Sequence, residues 1–326
     1  MISEGKYKVR RMKYTFIINP KSRSGKGLVL WNLLKPELKK RRIESEVFYT
    51  EYAGHATEIA RQVTAEDAVT EEDHVIVVMG GDGSISEVLT GIQDFTHVIL
   101  GYIPTGSGND FTRELKLPTD PKEAFELVLN PGRIAPMDVG EITSCGKTWR
   151  FGVSTGIGFD AAVCHNVEHS KMKPVLNKIH LGHLVYLEVA LRRLFSDSFY
   201  EIDVTLEDGT VKHFSKGYFV AVMNQPYEGG GFRFCPDALS DDGLLDVIVV
   251  SHIPRLKVLC LLPTAFAGKH TRFSGVDIFK CKDIRVQVNE KAPIHADGQP
   301  VAIEDHFEAK ALERKIRVIL PKAEEQ

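Results

Sequence analysis

One stretch of this sequence, residues 74–92, restricts the possible folds more than any other. It opens with a short apolar run rich in β-branched residues, which is typical of a strand buried on both faces of a parallel sheet. Gly80, Gly81 and Gly83 follow at once with Asp82 among them, and apolar residues then recur at helical spacing. The pattern predicts a strand, a glycine turn and a helix in succession.

The glycine turn also has a chemical meaning. Glycine lets the backbone approach a ligand closely, and the free N–H groups at the start of the following helix attract an anion. The alternative is a plain strand–helix connection, which two adjacent glycines, an acid and a third glycine make the weaker interpretation. Alone, the turn indicates phosphate binding and no particular reaction.

The N-terminal half alternates predicted strands and helices. Strands are predicted at 14–19, 45–50, 74–79 and 97–103, and helices at 27–40, 54–63, 85–92 and 121–129. This order predicts a doubly wound parallel sheet with helices on both faces. In such folds the ligand lies beyond the carboxyl ends of the strands, so the turns that follow them should cluster.

Two further turns follow strands in this half. Residues 19–26 form a predicted loop whose Ser-Gly-Lys-Gly run lacks the residues that a Walker P-loop requires. Its three cations favour phosphate binding over a solvated basic turn. In the turn at 103–111, Asp110 is a candidate to hold a metal ion through water, and Arg113 can reach a phosphate from the same helical face. A helix cap is the alternative role for the Asn-Asp pair and is compatible with function.

The C-terminal half changes character after Met137. Strand-like segments are predicted at 149–154, 200–206, 211–223, 244–250, 276–279 and 284–288, with helices at 157–167 and 182–195. Antiparallel pairing in a sandwich or barrel-like layer is the expected arrangement. The predicted domains are 1–137 and 138–307, and residues 308–326, with a strand at 315–320, are expected to return to the first domain.

Two acidic turns stand out in the second half. Residues 236–244 contain three carboxylates, and residues 295–300 contain an Asp-Gly pair. Hard cations such as Mg²⁺ prefer carboxylate and carbonyl oxygens, but an Asp-Gly hairpin turn accounts for the same residues equally well. Spacing alone does not choose between a turn and a site for either segment.

Composition excludes several classes of protein. The hydrophobic share of 43% and charged share of 26% are those of a soluble globular protein, and a net charge of −3 gives no reason to expect nucleic-acid binding. The five cysteines form no CxxC pair, so neither a zinc site nor a disulfide framework is indicated, and a reducing cytoplasm is expected. No apolar run reaches membrane-spanning length, so lipid contact is expected to be peripheral.

Several segments together resemble the diacylglycerol-kinase-like lipid kinases, which include bacterial soluble diacylglycerol kinases and sphingosine and ceramide kinases. The segments that carry the resemblance lie at 80–84, 104–111, 138–140, 156–160, 240–244 and 297–298. The resemblance implies a nucleotide domain of the phosphofructokinase and NAD-kinase type, a β-rich lipid-binding domain, and ATP between them.

The resemblance also implies roles for individual residues. Asp82, Asp110 and Asp138 would organise water and a catalytic Mg²⁺, while Lys26 and Arg113 would offset phosphate charge. Asp242 and the carbonyls of Leu239 and Leu244 would hold a structural Mg²⁺. The residues expected to line ATP are Asn19, Pro20, Lys21, Ser22, Arg23, Ser24, Gly25, Lys26, Thr50, Gly80, Gly81, Asp82, Gly83, Ser84, Ile85, Ser86 and Ser107.

One departure from the family pattern concerns the general base. Bacterial members carry Asp-Gly-Glu where this chain has Asp297, Gly298 and Gln299, and their glutamate is the proposed base. An amide cannot take up a proton at neutral pH. Asp82 and Asp297 are therefore the candidate bases. Alternatively, Gln299 indicates an enzyme that is slow or that uses a different acceptor.

The expected function is an ATP- and Mg²⁺-dependent lipid kinase that phosphorylates diacylglycerol. A sphingoid base is the second acceptor, and the rival classes are a soluble-substrate kinase of the NAD-kinase type and an inactive nucleotide- or lipid-binding protein. The apolar helix at 181–195, with its basic end, is expected to belong to the core or else to contact lipid or membrane. The expected location is cytoplasmic and peripheral at the membrane surface, and a homodimer is an open expectation.

Overall fold

The computed structural model describes residues 12–65, 72–106, 110–168, 183–196 and 198–323. The helices described are α1 Ser22–Lys40, α2 His55–Thr64, α3 Asp82–Gly91, α4 Asp110–Glu114, α5 Pro121–Leu129, α6 Phe159–Glu168, α7 His183–Ser196 and α8 Arg255–Phe266. The strands are β1 Lys13–Ile18, β2 Ser45–Tyr49, β3 His74–Gly80, β4 Val98–Pro104, β5 Arg133–Met137, β6 Gly140–Ser144, β7 Lys147–Phe151, β8 Ser154–Gly158, β9 Tyr200–Leu206, β10 Val211–Met223, β11 Tyr227–Glu228, β12 Phe232–Arg233, β13 Leu245–Ser251, β14 Val276–Cys281, β15 Asp283–Ala296, β16 Gln299–Ala311 and β17 Ile316–Leu320.

The first sheet has six strands in the order β2-β1-β3-β4-β17-β5. All pairs are parallel except β17 with β5. Every residue of β3 and β4 is buried, as expected of strands covered on both faces. Helices α1 and α5 pack on one face and α2 and α3 on the other. The doubly wound α/β layering predicted from the sequence is confirmed.

The second sheet has nine strands and is antiparallel throughout. Its path is β14-β13-β10-β8-β15-β16-β6-β7, and β9 pairs with both β10 and β15. Strands β8 and β9 thus occupy successive lengths between the same two long strands. The inward residues of this sheet form an apolar cluster of their own, so the predicted β-rich second half is confirmed.

Several predicted boundaries were wrong. The helix expected from residue 27 begins at Ser22, because the Ser22 N–H donates to the Asn19 carbonyl and the Gly25 N–H donates to that of Lys21. The predicted strand at 149–154 spans the end of β7 and the start of β8, and the helix expected from 157 begins at Phe159, because Ile157 lies in β8. Strands β5, β6 and β16 and helix α8 were not predicted. Positions 181 and 182 of the predicted apolar helix lie outside the described residues.

The last strand, β17, lies in the first sheet between β4 and β5 although all nine strands of the second sheet precede it in the chain. The chain therefore passes between the two sheets twice, from β5 to β6 and from β16 back to β17. Among the described residues, we find no helix with the length and apolar character needed to cross a membrane.

Candidate active site

Three turns meet at the carboxyl ends of β1, β3 and β4. The Asn19 N–H donates to the Met79 carbonyl at 2.9 Å, and the Thr105 N–H donates to the Gly80 carbonyl at 2.8 Å. The hydroxyls of Ser22 and Thr105 lie 2.8 Å apart. The clustering expected from a parallel sheet is therefore observed.

The backbones of the second and third turns touch directly at Gly81 and Gly106. A Cβ added to Gly106 would lie 2.6 Å from the Cα of Gly81, which is closer than any side chain allows. Residues 107–109 lie outside the described residues, so the predicted role of Ser107 stays a prediction. The paired glycines leave a surface of backbone groups that a phosphate can approach closely.

The first turn places its cations at the mouth of this cluster. Lys21 donates from Nζ to the Glu51 carbonyl at 2.9 Å, so its ammonium links β1 and β2, while Arg23 and Lys26 are exposed. Arg23 and Gly25 have φ values of +50° and +89°, which makes the first turn of α1 irregular. The Ser24 side chain is not among those described.

The remaining predicted nucleotide-binding residues differ in what they can offer. Thr50 lies at the end of β2, where its N–H donates to the Ile18 carbonyl, and Pro20 accepts the N–H of Leu28. Ile85 is fully buried in the core below α3, and the Ser86 hydroxyl donates to the Arg150 carbonyl of β7. The side chains of Ile85 and Ser86 are thus already engaged, which leaves these two positions only their backbone for a ligand.

Asp82 occupies the first position of α3, at the centre of the three turns. Its Oδ2 accepts the N–H of Asp110 at 3.3 Å, whereas its Oδ1 is buried without a hydrogen-bond partner. Burial, with the charges of Asp110 and Asp297, raises the pKa of Asp82 from 3.8 to about 7. A buried, unpartnered carboxylate oxygen is an unfavourable state that a cation or a donated proton relieves.

Asp110 connects the first domain to the β11–β12 hairpin, a separate two-stranded sheet in the second half of the chain. Its Oδ1 accepts from Arg113 at 2.6 Å, and its Oδ2 accepts the N–H of Gly230 at 2.8 Å. Gly230 lies at the tip of the β11–β12 hairpin, and a Cβ on the adjacent Gly231 would lie 3.0 Å from the Arg113 guanidinium. The expected arginine–phosphate contact stays a prediction, and the observed partner of Arg113 is Asp110.

The turn between β15 and β16 brings Asp297 and Gln299 against the glycine turn. A Cβ on Gly83 would lie 2.4 Å from Cγ of Gln299, so glycine is required for this contact. Asp297 accepts three backbone N–H groups, from Gly152, Val153 and Ser154, at 2.8–3.0 Å. Although burial raises its pKa to about 6, both of its oxygens are engaged. The structure thus argues against Asp297 as the general base.

A buried polar cluster behind this turn was missed in the sequence. His295 Nε2 lies 3.2 Å from a carboxylate oxygen of Asp160 and 3.2 Å from one of Glu228. Its Nδ1 lies 3.2 Å from the Gly298 nitrogen. Although burial opposes the charge, Glu228 and Asp160 raise the pKa of His295 to about 9, so Nε2 carries a proton. Because that nitrogen then has no free lone pair, we interpret the three residues as a hydrogen-bonded cluster rather than a metal centre, although their spacing would suit one.

This cluster supports the active-site turn from behind. Burial is the largest cause that raises the pKa of Glu228, to about 7. A Cβ on Gly156 would lie 2.6 Å from Asp160 Oδ2, so this glycine makes room for the cluster. In the sequence, Asp160 stands in one of the segments that carry the family resemblance, and Glu228 precedes three glycines. These two patterns were the available indications.

The acidic loop at 236–244 contacts Asp138. The N–H of Asp138 donates to the Ser240 carbonyl and its Oδ2 accepts the N–H of Gly243, both at 2.7 Å. Lys315, just before the last strand, lies 3.1 Å from its Oδ1. The observed contacts of Asp138 therefore belong to the acidic loop, and a role in organising water beside Asp82 stays a prediction.

Asp242 is neutralised by a lysine. Lys280 Nζ lies 2.7 Å from Asp242 Oδ2 and 3.3 Å from Asp246 Oδ2, and Asp242 Oδ1 accepts the N–H of Leu244 at 3.0 Å. The donor set suits a hard cation, but an ammonium group takes that place. The predicted structural Mg²⁺ fits these residues only if Lys280 moves away.

Comparison with known proteins agrees with this architecture. The family model of the diacylglycerol kinase catalytic domain matches residues 13–142, and that of the YegS C-terminal NAD kinase beta sandwich-like domain matches residues 153–319. The Bacillus subtilis protein YtlR, whose name describes a lipid kinase, is 33% identical over 288 residues, 87% of this chain and 92% of that protein.

Two further comparisons extend this result. The Mycobacterium tuberculosis protein named diacylglycerol kinase is 31% identical over 297 residues, 88% of each chain. A Bacillus anthracis crystal structure described as a diacylglycerol kinase superposes with a TM-score of 0.75 at 22% identity, covering 98% of both chains, and so supports the fold. The chain belongs to the diacylglycerol-kinase-type lipid kinases, phosphotransferases whose acceptor is a lipid alcohol.

Proposed function

We propose that this protein transfers the γ-phosphoryl group of ATP to the free hydroxyl of diacylglycerol, giving phosphatidic acid, with Mg²⁺ as cofactor. The observation that carries the proposal is the position of Asp82. Its unpartnered Oδ1 lies where three phosphate-type turns converge, beside a second acid, Asp110. Phosphoryl transfer needs positioning and charge neutralisation, which this arrangement supplies.

The residues of the three turns divide the work. The backbone amides near Gly81 and Gly106 bind phosphate oxygens, and the exposed cations Arg23 and Lys26 offset phosphate charge. When bound with ATP, Mg²⁺ neutralises charge on the transferred group; its ligands from this chain would be Asp82 and, through water, Asp110. The orphaned oxygen of Asp82 is the feature that fits a cation.

Asp82 is also the general base that we propose for the acceptor hydroxyl. Asp82 keeps one unpartnered carboxylate oxygen, whereas Gln299 cannot take up a proton and both oxygens of Asp297 accept amide N–H groups. Gln299 lies against Gly83, where its amide can orient the acceptor hydroxyl. This assignment accounts for a kinase without the family's glutamate.

The test is transfer of label from γ-labelled ATP across a panel of acceptors in detergent micelles. The panel contains diacylglycerol, sphingosine, ceramide and NAD, each with Mg²⁺ and with EDTA. We expect labelled phosphatidic acid that disappears with EDTA and with the isosteric variant Asp82→Asn. Labelling of NAD, or of sphingosine in preference to diacylglycerol, would contradict the proposed acceptor. Full activity in EDTA would contradict the proposed cofactor.

A further inference from the structure

Helix α8 has apolar side chains on two opposite faces. Leu261 and Ala265 are buried, and Leu261 packs in an apolar cluster on the second sheet. On the outer face, Leu256 is 71% exposed and Phe266 is 53% exposed, with Pro263 exposed between them. A surface helix ordinarily carries polar residues on its outer face. The apolar outer face of α8 therefore calls for a partner.

The charge around this helix is of one sign. Residues 247–276 contain no aspartate or glutamate, although the whole chain has a net charge of −3. The cations Arg255 and Lys257 lie on α8, and Lys269 and Arg272 lie on the short 3₁₀ turn that follows it. We define the α8 surface as Leu256, Lys257, Pro263, Phe266, Lys269 and Arg272. It combines exposed apolar groups with positive charge that no acid of residues 247–276 offsets.

The α8 surface continues into the active site through one hairpin. Phe266 stacks on Phe232 of β12, with ring centroids 4.1 Å apart. The tip of the same hairpin donates the Gly230 N–H to Asp110. The β11–β12 hairpin thus contacts α8 through Phe232 and Asp110 through Gly230, and so connects the α8 surface to the acid beside Asp82. This is a suitable position for a surface that supplies the acceptor.

We propose that the α8 surface docks the protein on an anionic lipid bilayer. The proposal rests on the proposed function, because diacylglycerol resides in membranes. Anionic headgroups complement the cations of this surface, and the exposed leucine and phenylalanine can enter the headgroup boundary. A second copy of the chain suits this surface less well. A two-fold contact would bring like charges together, with no acid in the segment to pair with them.

Vesicle sedimentation tests the proposal directly. The α8 variant combines Leu256→Gln, Lys257→Gln and Lys269→Gln, and all three positions are exposed. The matched control, Leu33→Gln with Lys35→Gln and Lys39→Gln, makes the same changes on α1, whose Leu33 is 61% exposed. The probes are vesicles of phosphatidylcholine mixed with phosphatidylglycerol, and of phosphatidylcholine alone.

We expect the wild type to bind the anionic vesicles and to lose binding as salt is raised. Each lysine contributes about a fivefold factor near an anionic surface, so the α8 variant should bind at least about 25-fold more weakly, while the α1 control binds like the wild type. Equal binding by the α8 variant, or a loss confined to the α1 control, would overturn the proposal. The proposal would also be overturned if light scattering showed that the wild type is a dimer and the α8 variant a monomer, while both bound vesicles equally.

Melting curves of both variants check that the fold is intact. If the α8 variant does not fold, the charge reversals Lys269→Glu and Arg272→Glu test the same surface without changing α8. Activity separates this proposal from the proposed function. The α8 variant should phosphorylate short-chain diacylglycerol, dissolved as monomers, at the wild-type rate and vesicle-borne diacylglycerol more slowly. A wild type that binds vesicles but phosphorylates neither substrate would contradict the proposed function and leave the docking surface standing.

Discussion

The glycine-turn site and the acidic loop present the same residue types in sequence and differ in what surrounds them. At the glycine turn, Asp82 and Asp110 lie together, and one oxygen of Asp82 has no partner. In the acidic loop, Lys280 contacts both Asp242 and Asp246, and Lys315 contacts Asp138. Arg113 pairs with Asp110, so Asp82 is the acid of the first cluster that has no cation beside it, whereas lysines neutralise the acidic loop.

The difference separates a site that needs a ligand from one that does not. Burial, with the charges of Asp110 and Asp297, raises the pKa of Asp82 to about 7, so a bound cation would offset its charge or a proton would remove it. The acidic loop has its cations in place and can be stable without Mg²⁺. The following predictions test that contrast, beginning with the largest expected effect.

Replacement of the central acid in each cluster should have unequal consequences for turnover. We expect Asp82→Asn to lower kcat by about 100-fold or more, since it removes both the proposed base and a cation ligand. Asp242→Asn, the matched change in the acidic loop, should leave kcat within about threefold of the wild type, because it leaves the glycine-turn site unchanged and Lys280 still paired with Asp246. Equal losses in steady-state assays of the two variants would end the distinction between the clusters.

Removal of the internal cation should make the acidic loop resemble the glycine-turn site. In Lys280→Met, Asp242 and Asp246 lose their shared ammonium, and we expect a loss of about 2 kcal/mol in the free energy of unfolding. Added Mg²⁺ should raise the Tm of this variant more than that of the wild type, because the vacated carboxylates can then bind it. The comparison fails if Mg²⁺ raises the Tm of the wild type just as much, or if EDTA lowers the wild-type Tm.

The two clusters should also differ in how stability depends on pH. The folded-state pKa of Asp82 is raised from 3.8 to about 7, so the folded protein holds this proton where the unfolded chain has lost it. The contribution of Asp82 to the free energy of unfolding is therefore fully present below about pH 4 and is lost as pH rises through about 7. Asp297, with a pKa of about 6, and Glu228, at about 7, act in the same direction.

Between pH 4 and 8 the free energy of unfolding should fall, and we expect Asp82 to account for about 1 kcal/mol of that fall. The effect is small because water reaches its partly exposed side chain. Urea denaturation of the wild type and Asp82→Asn between pH 4 and 8 measures it, with Asp242→Asn as the control. The variant Asp82→Asn should show the shallower fall. A steeper or unchanged slope in that variant would contradict the raised pKa.

The smallest effect is expected from Gln299→Glu, which adds a third acid to the uncompensated site. The side chains are nearly isosteric, and the new carboxylate would lie against the glycine turn at Gly83. With Asp82 as the base, kcat should stay within about threefold of the wild type, and the acid limb of the kcat/KM profile should move to higher pH as the new charge raises the pKa of Asp82. A gain of about 100-fold with diacylglycerol would instead show that position 299 limits the enzyme.

Much of the first domain was predictable because its evidence is local. The apolar runs before Gly80 and before the turn at residue 105 indicated buried parallel strands, and the helix at 121–129 was predicted with its observed bounds. The long strand β16 escaped prediction because it carries acids and apolar residues in mixed order, and pairing with β15 and β6 decides its conformation. Helix α8 escaped because it is apolar on both faces and lacks a helical periodicity.

The sequence by itself determined the layering of the sheets and the convergence of the three turns. The alternation of strands and helices is set by neighbouring residues, and parallel strands place the turns that follow them at one edge of the sheet. It also placed Gln299 in a family motif without showing what it touches. Only the tertiary structure decided which acids are compensated. Lys280 and Lys315 reach the acidic loop, and the amides at 152–154 reach Asp297, across long separations in the chain. The charge state of a buried acid depends on such distant partners, and no local pattern of residues records them.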